Sequence, residues 1–130
     1  IPNTFLEISA DEFLISDSLL GVVWKYRLGL DGRLVDKTSW MEFDGYMPDG
    51  GCVYKSYALI ALWDGGRGCQ INLLNKERTD YPVPVPRPTN CAVDKSGAAL
   101  WITSVQCGWS SEALREYPLS GKTLSLEGVL

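Results

Sequence analysis

Three times along the chain a proline-led segment is followed by the same short order of turns and apolar runs. This internal period restricts the fold more than any single residue does. The segments read Ile1-Pro2-Asn3-Thr4, Met47-Pro48-Asp49-Gly50 and Arg87-Pro88-Thr89-Asn90. Ile15-Ser16-Asp17, Leu62-Trp63-Asp64 and Ile102-Thr103-Ser104 each close an apolar run, and a glycine follows each within a few residues. Trp24-Lys25-Tyr26-Arg27, Cys69-Gln70-Ile71-Asn72 and Ala113-Leu114-Arg115-Glu116 then open the next run.

Between these landmarks lie short stretches rich in Ile, Val, Phe, Trp and Tyr, cut by Gly and Asp, which is the pattern of strands and tight turns. The expected strands are Phe5–Ile8, Phe13–Ser16, Val22–Leu28 and Ser39–Phe43, then Gly51–Val53, Ala58–Leu62, Cys69–Leu74 and Asp80–Val85, then Cys91–Val93, Leu100–Thr103, Leu114–Tyr117 and Leu124–Leu126. No long helical period interrupts them, so the fold class is all-β. Repeats of roughly 40–50 residues built from four strands are the blades of a β-propeller. The chain therefore reads as one unit over 1–130, with four-stranded blades at about 1–46, 47–86 and 87–130. Pro82, Pro84, Pro86 and Pro88 cannot donate to a ladder, so the second blade should end in an outer strand running into a loop.

Composition narrows the function. The chain has 130 residues, 45% of them hydrophobic, enough for a buried core. Its net charge of −4 argues against nucleic acid, which demands clustered Lys and Arg. No apolar run reaches the roughly 18 residues of a membrane span. No leader is apparent and the cysteines look unpaired, so the expected location is cytoplasmic, although a longer N-terminus would hide a leader. Cys52, Cys69, Cys91 and Cys107 include no C-x-x-C pair, and Cys52 and Cys91 sit in apolar runs. They read as small core residues before they read as redox or metal groups.

Blade topology places residues at one end of a central channel. In an up-and-down blade, the loop entering the first strand and the loop joining the second strand to the third open on the same face. Asn3, Asp49, Thr89 and Asn90 come from the first kind; Asp17, Trp63, Asp64, Ser104 and Trp109 come from the second. The mouth is thus rich in oxygen and has aromatic walls, the chemistry of a hard-cation site. Blander roles compete for each residue. Pro-Asp-Gly is a common turn, Asp17 and Asp64 can cap turns, and Trp63 and Trp109 can serve as wall or core.

The same residues resemble a known family. Ile1-Pro2-Asn3, Met47-Pro48-Asp49-Gly50, Ala61-Leu62-Trp63-Asp64-Gly65-Gly66-Arg67, Val83-Pro84-Val85-Pro86-Arg87-Pro88-Thr89, Leu100-Trp101-Ile102-Thr103-Ser104 and Leu126-Glu127-Gly128-Val129 are similar, in order, to the second half of the senescence-marker-protein, gluconolactonase and regucalcin family. The resemblance implies half of a six-bladed β-propeller with one divalent cation in the channel, and hydrolysis of a lactone or sugar-acid ester. It implies Asn3 and Asp49 as metal ligands, with Asp49 also catalytic as acceptor of a proton from the attacking water. Asp17, Trp63, Asp64, Ser104 and Trp109 would line the substrate. The cation implied is calcium first, then magnesium or manganese, with zinc last because the chain has no histidine.

Departures from the family accompany the match. Thr4 stands where Gly is usual, Gly51 where Met is common, and Asp64 where Gly is found. The family's third ligand and its substrate-gripping residues belong to a first half that this sequence does not contain. Three blades do not close a ring, since propellers have 4–8. The expectation is therefore a homodimer that completes six blades or a missing N-terminal half. A non-catalytic cation-binding or interaction module is the alternative reading.

Overall fold

Turns at glycine and aspartate divide the polypeptide into short strands that pair with their neighbours in sequence. The computed structural model describes the whole chain, Ile1–Leu130. β1 (Pro2–Glu7), β2 (Glu12–Asp17), β3 (Val22–Leu28) and β4 (Leu34–Glu42) form an antiparallel sheet in chain order. β5 (Met47–Tyr54), β6 (Tyr57–Trp63), β7 (Arg67–Asn72) and β8 (Arg78–Pro82) form a second in the same manner. β9 (Pro88–Val93), β10 (Ala99–Ser104) and β11 (Leu124–Glu127) form a third, with β10 central. The first strands β1, β5 and β9 lie side by side, as the inner strands of successive propeller blades do.

The proline segments are not loops, as the repeat suggested, but the opening residues of these inner strands. Each carries a β-bulge at the same place. Pro2 pairs with Asp17 and Phe5 with Ile15, so β1 holds one residue more than β2 over that interval. Pro48 pairs with Leu62 and Gly51 with Ile60, repeating the excess in β5. Pro88 pairs with Ser104 and Asn90 with Thr103, again with one extra residue, Thr89. A bulge breaks the pleat and re-aims a side chain. Asn3 and Asp49 occupy two of the three bulges.

Two cores hold the sheets face to face. Leu6, Leu14, Val23, Trp40 and Phe43 of the first sheet and its exit pack against Ala58, Ile60, Leu62, Cys69 and Ile71 of the second. Leu59, Tyr81, Val83 and Val85 pack against Cys91, Leu100 and Ile102 of the third. β6 is the shared wall, and its residues Ala58 to Leu62 are all buried. A strand covered on both faces needs apolar residues without alternation, which explains the uninterrupted run Ala58-Leu59-Ile60-Ala61-Leu62. β8 lies at the outer edge of its sheet and leads into the proline-rich connection, as expected from Pro82, Pro84 and Pro86.

The third sheet departs from the expected four strands. The residues assigned to its third strand, Leu114–Tyr117, fall largely in a helix, α1 (Ser111–Glu116). Ser110 caps it by accepting from the Ala113 amide, Glu112 sits in the first turn and Arg115 in the last. Glu, Ala, Leu and Arg are strong helix formers, and Pro118 stops the helix. Local propensity overrode the repeat's phase here, and β11 pairs directly with β10 to give sheets of four, four and three strands. No helix is long and apolar enough to cross a membrane. All four cysteines are free; Cys69 and Cys91 are buried, Cys52 is half-buried, and Cys107 is exposed rather than in the core. Burial pushes the Cys69 thiol up to about 12, so it stays protonated at neutral pH.

Candidate functional site at the channel mouth

The bulges turn Asn3 and Asp49 toward each other. The Asn3 Nδ2 donates to Asp49 Oδ1, joining β1 to β5 across the inner wall. Thr4 is buried and donates through Oγ1 to the Asp49 carbonyl oxygen, and its own amide donates to Ser16 Oγ at 2.9 Å. Ser18 Oγ donates to the Pro48 carbonyl at 2.8 Å. Ser16 Oγ also donates to the Asp49 carbonyl at 3.4 Å, so hydroxyls of three residues fasten the backbone on either side of Asp49 and hold its carboxylate on a rigid support. Gly50 is required beside it: a Cβ there would meet the Asn90 side chain at 2.5 Å and the Thr89 carbonyl at 2.6 Å, where β9 closes against β5.

Asp49 is 8% exposed and enters none of the chain's ion pairs. Burial raises its carboxyl above the ordinary range, opposed in part by the Asn3 amide and the Gly50 N–H. A buried carboxylate with no positive partner is a costly arrangement for an acid that is to remain ionised. A hard cation would supply the missing charge, and the Asn3 amide oxygen and Asp49 carboxylate are donors of the type such an ion prefers. They would fill two positions of a shell of six to eight. No cluster of three or more Asp, Glu, Cys or His adds to them.

An open pocket of about 300 Å³ adjoins the pair and is lined by Ile1, Asn3, Ser18, Leu19, Met47, Asp49 and Trp63. Of the residues singled out in the sequence, Asn3, Asp49 and Trp63 meet here. Asp64 and Trp109 stand just outside, joined to Trp63 through Arg87. The Arg87 Nε bonds Asp64 Oδ1 at 2.6 Å, and its guanidinium carbon lies 5.4 Å from the Trp63 ring and 4.8 Å from that of Trp109. Its Nη1 donates to the Cys107 carbonyl at 3.2 Å. Asp17 ends β2, accepting from the Leu20 amide at 3.3 Å and from the Ile1 nitrogen at 2.7 Å, and does not line the pocket. Ser104 is also apart, donating to the Lys122 carbonyl at 2.7 Å. Asn90 accepts from the Cys91 amide at 2.8 Å, and Thr89 pairs its hydroxyl with Thr103 at 2.8 Å.

Sequence reasoning missed Ile1, Ser18, Leu19 and Met47 as lining residues and Arg87 as the clasp. Met47 and Arg87 were visible as the residues before two of the repeated prolines, but nothing in a sequence reveals a side chain inserted between two indoles. Removing the clasp tests its weight. Arg87→Ala is expected to cost about 1–2 kcal/mol, since two cation–π contacts at roughly 0.5–1 kcal/mol each outweigh a solvent-exposed ion pair. Arg87→Lys should recover only part of this, because an ammonium does not stack as a guanidinium plane does. Urea denaturation of both variants measures the difference, and equal stability of all three proteins would show that the clasp is ornamental.

Comparison with known proteins agrees with this architecture. Residues 1–106 match the model of the SMP-30/Gluconolactonase/LRE-like region. The fold is similar to that of a calcium-binding protein, regucalcin, from Agrobacterium tumefaciens strain C58, with a TM-score of 0.81 and 18% identity over 97% of this chain and 45% of that one. A luciferin-regenerating enzyme superposes with a TM-score of 0.83 and 17% identity, over 99% of this chain and 45% of the other. A gluconolactonase from Xanthomonas campestris gives a TM-score of 0.63 and 21% identity, over 78% of this chain and 34% of its own. Among curated proteins no match was found. The chain therefore spans less than half the length of these solved structures. With a family match over residues 1–106, most of its length, the chain belongs to the SMP-30/gluconolactonase/LRE-like family.

Proposed function

We propose that this chain is part of a metal-dependent lactone or ester hydrolase in which Asn3 and Asp49 hold a divalent cation, calcium before magnesium or manganese. The observation that carries the reading is a buried carboxylate, fastened by its backbone and faced by an amide, with no positive side chain to balance it. When bound, such a cation supplies Lewis-acid polarisation of a carbonyl oxygen and acidifies water. Asp49 has the further task of taking a proton from the attacking water at a carboxylate oxygen. Asn3, being neutral, adds an oxygen without lowering the net positive charge of the site. Trp63 forms one wall for the substrate, and Arg87 keeps that wall in place through its contacts with Asp64 and Trp109.

The ring is completed by three further blades, from a second copy or from a preceding half of a longer protein. Phe5, 60% exposed, stacks on Phe13 with centroids 5.2 Å apart on the outer face of the first sheet. Ile15 and Trp24, paired across the same face, extend the apolar surface. Trp101 is 46% exposed on the opposite end of the stack. Contiguous apolar faces of this kind mark covered surfaces. Native mass distinguishes two copies from one.

Ligand-linked stability tests the cation. A species that binds only the native state raises its melting temperature, by an amount set by RT ln(1 + [L]/Kd). Calcium added to chelator-treated protein at a hundred times its Kd should stabilise by about 2.7 kcal/mol, and a pH-indicator assay should then report lactone opening. Stabilisation without turnover would favour the second reading, a non-catalytic cation-binding module that lacks the substrate-binding half. No response to calcium, magnesium or manganese would remove both.

A further inference from the structure

The pocket beside Asn3 and Asp49 is built for grease rather than for hydroxyl groups. Ile1, Leu19, Met47 and Trp63 form most of its wall. Of its three polar side chains, Ser18 spends its hydrogen on the Pro48 carbonyl, and Asn3 is bonded to Asp49. The oxygens left free, Asn3 Oδ1 and the second carboxylate oxygen of Asp49, are the ones assigned above to the cation, so the ring hydroxyls of a sugar-derived lactone lying here would lose water with little side-chain hydrogen bonding from this chain in exchange. An alkyl or aryl group faces no such penalty.

We infer that the ligand of this mouth carries an apolar arm, alkyl or aryl, which lies on Leu19, Met47 and Trp63 while its carbonyl end faces Asn3 and Asp49. This rests on the hydrolase reading and names its substrate class: lactones with a hydrophobic substituent, in preference to polyhydroxylated ones. Two further features agree. Leu19 is 67% exposed at the tip of the β2–β3 turn, and its neighbour Leu20 is 68% exposed, so the rim itself is apolar. Ser18, Leu19 and Met47 also border an open groove of about 800 Å³ that continues past Val22, Trp24, Tyr46 and the carboxylates Glu42 and Asp44; it offers length for a long arm, while the apolar contact comes from Leu19, Met47 and Trp63. Trp63 is a fixed wall because Arg87 packs on it, so little side-chain freedom is lost when a ligand arrives.

Calorimetry with γ-lactams bearing side chains from methyl to hexyl measures binding without turnover, and a pH-indicator assay on the matching γ-lactones and on gluconolactone measures hydrolysis. Both use the full chain with calcium. Binding should tighten by about fourfold for each buried methylene, the factor that follows from apolar transfer. Leu19→Ser, on the exposed turn, and Trp63→Ala should each weaken hexyl binding at least several-fold and shrink the ratio of hexyl to methyl affinity. A flat series, absent binding, or gluconolactone opened faster than the hexyl lactone would overturn the inference. If binding follows chain length but no lactone opens, the apolar site stands and the hydrolase reading falls. If lactones open regardless of chain length, the reverse holds.

Discussion

Asp49→Asn will abolish the calcium-induced rise in melting temperature and any lactone-opening activity of this chain, the largest functional loss expected from one substitution. The change keeps the volume and the oxygen that accepts from Asn3, so the bulge and its hydrogen bonds remain. What disappears is the charge. Without a carboxylate a hard cation has only neutral oxygens from this chain, and no group is left to accept the proton. Retained turnover in the variant would remove Asp49 from the chemistry.

The same variant should be more stable than the parent when no cation is present. The folded-state pKa of Asp49 is raised by burial, so its favourable contribution exists below the ordinary carboxylate pKa and is lost as pH rises through the raised value. At neutral pH the chelator-treated parent therefore carries a buried, unbalanced charge that asparagine does not. Melting curves from about pH 4 to pH 7 should show the variant gaining on the parent as pH increases. Saturating calcium should reverse the order at neutral pH. A difference independent of pH would mean that Asp49 is solvated well enough to need no partner.

Leu59→Ala and Ile60→Ala should each cost about 2–5 kcal/mol, a large share of the 5–15 kcal/mol that stabilises a typical domain. Both side chains are fully buried. Leu59 belongs to the core shared with the third sheet and Ile60 to the core shared with the first. Although adjacent in sequence, they open cavities on opposite faces of β6 and share no apolar cluster. Their effects should add to within about 0.5 kcal/mol in the double variant. Strong non-additivity in denaturant titrations would show that the two cores respond as one body.

Much of this architecture was legible before any coordinates. The repeated proline segments, the glycine punctuation and the uninterrupted apolar run of β6 are direct consequences of strand length, turn chemistry and two-sided burial, and all three are local properties. The repeat also placed Asn3, Asp49 and Thr89 at equivalent positions, and the family resemblance singled out the first two. The helix after Ser110 was also locally encoded, in its cap and its Glu-Ala-Leu-Arg composition, but the phase of the repeat was given more weight than propensity.

Other features depend on atoms far apart in sequence. A bulge is a mismatch between two strands, so neither strand alone shows that a proline segment is paired rather than looped. The Thr4 hydroxyl on the Asp49 carbonyl, the Asn90 side chain against Gly50, and Arg87 between Trp63 and Trp109 each join separate sheets or loops. Asp17 and Ser104 illustrate the converse, since residues at the correct end of the correct strands turned to nearby backbone groups instead of the pocket. Periodicity and turn chemistry reach only along the chain and across its nearest strands. Charge balance and pocket lining are settled by which side chains the packed sheets bring within a few ångströms, and that the order of residues does not state.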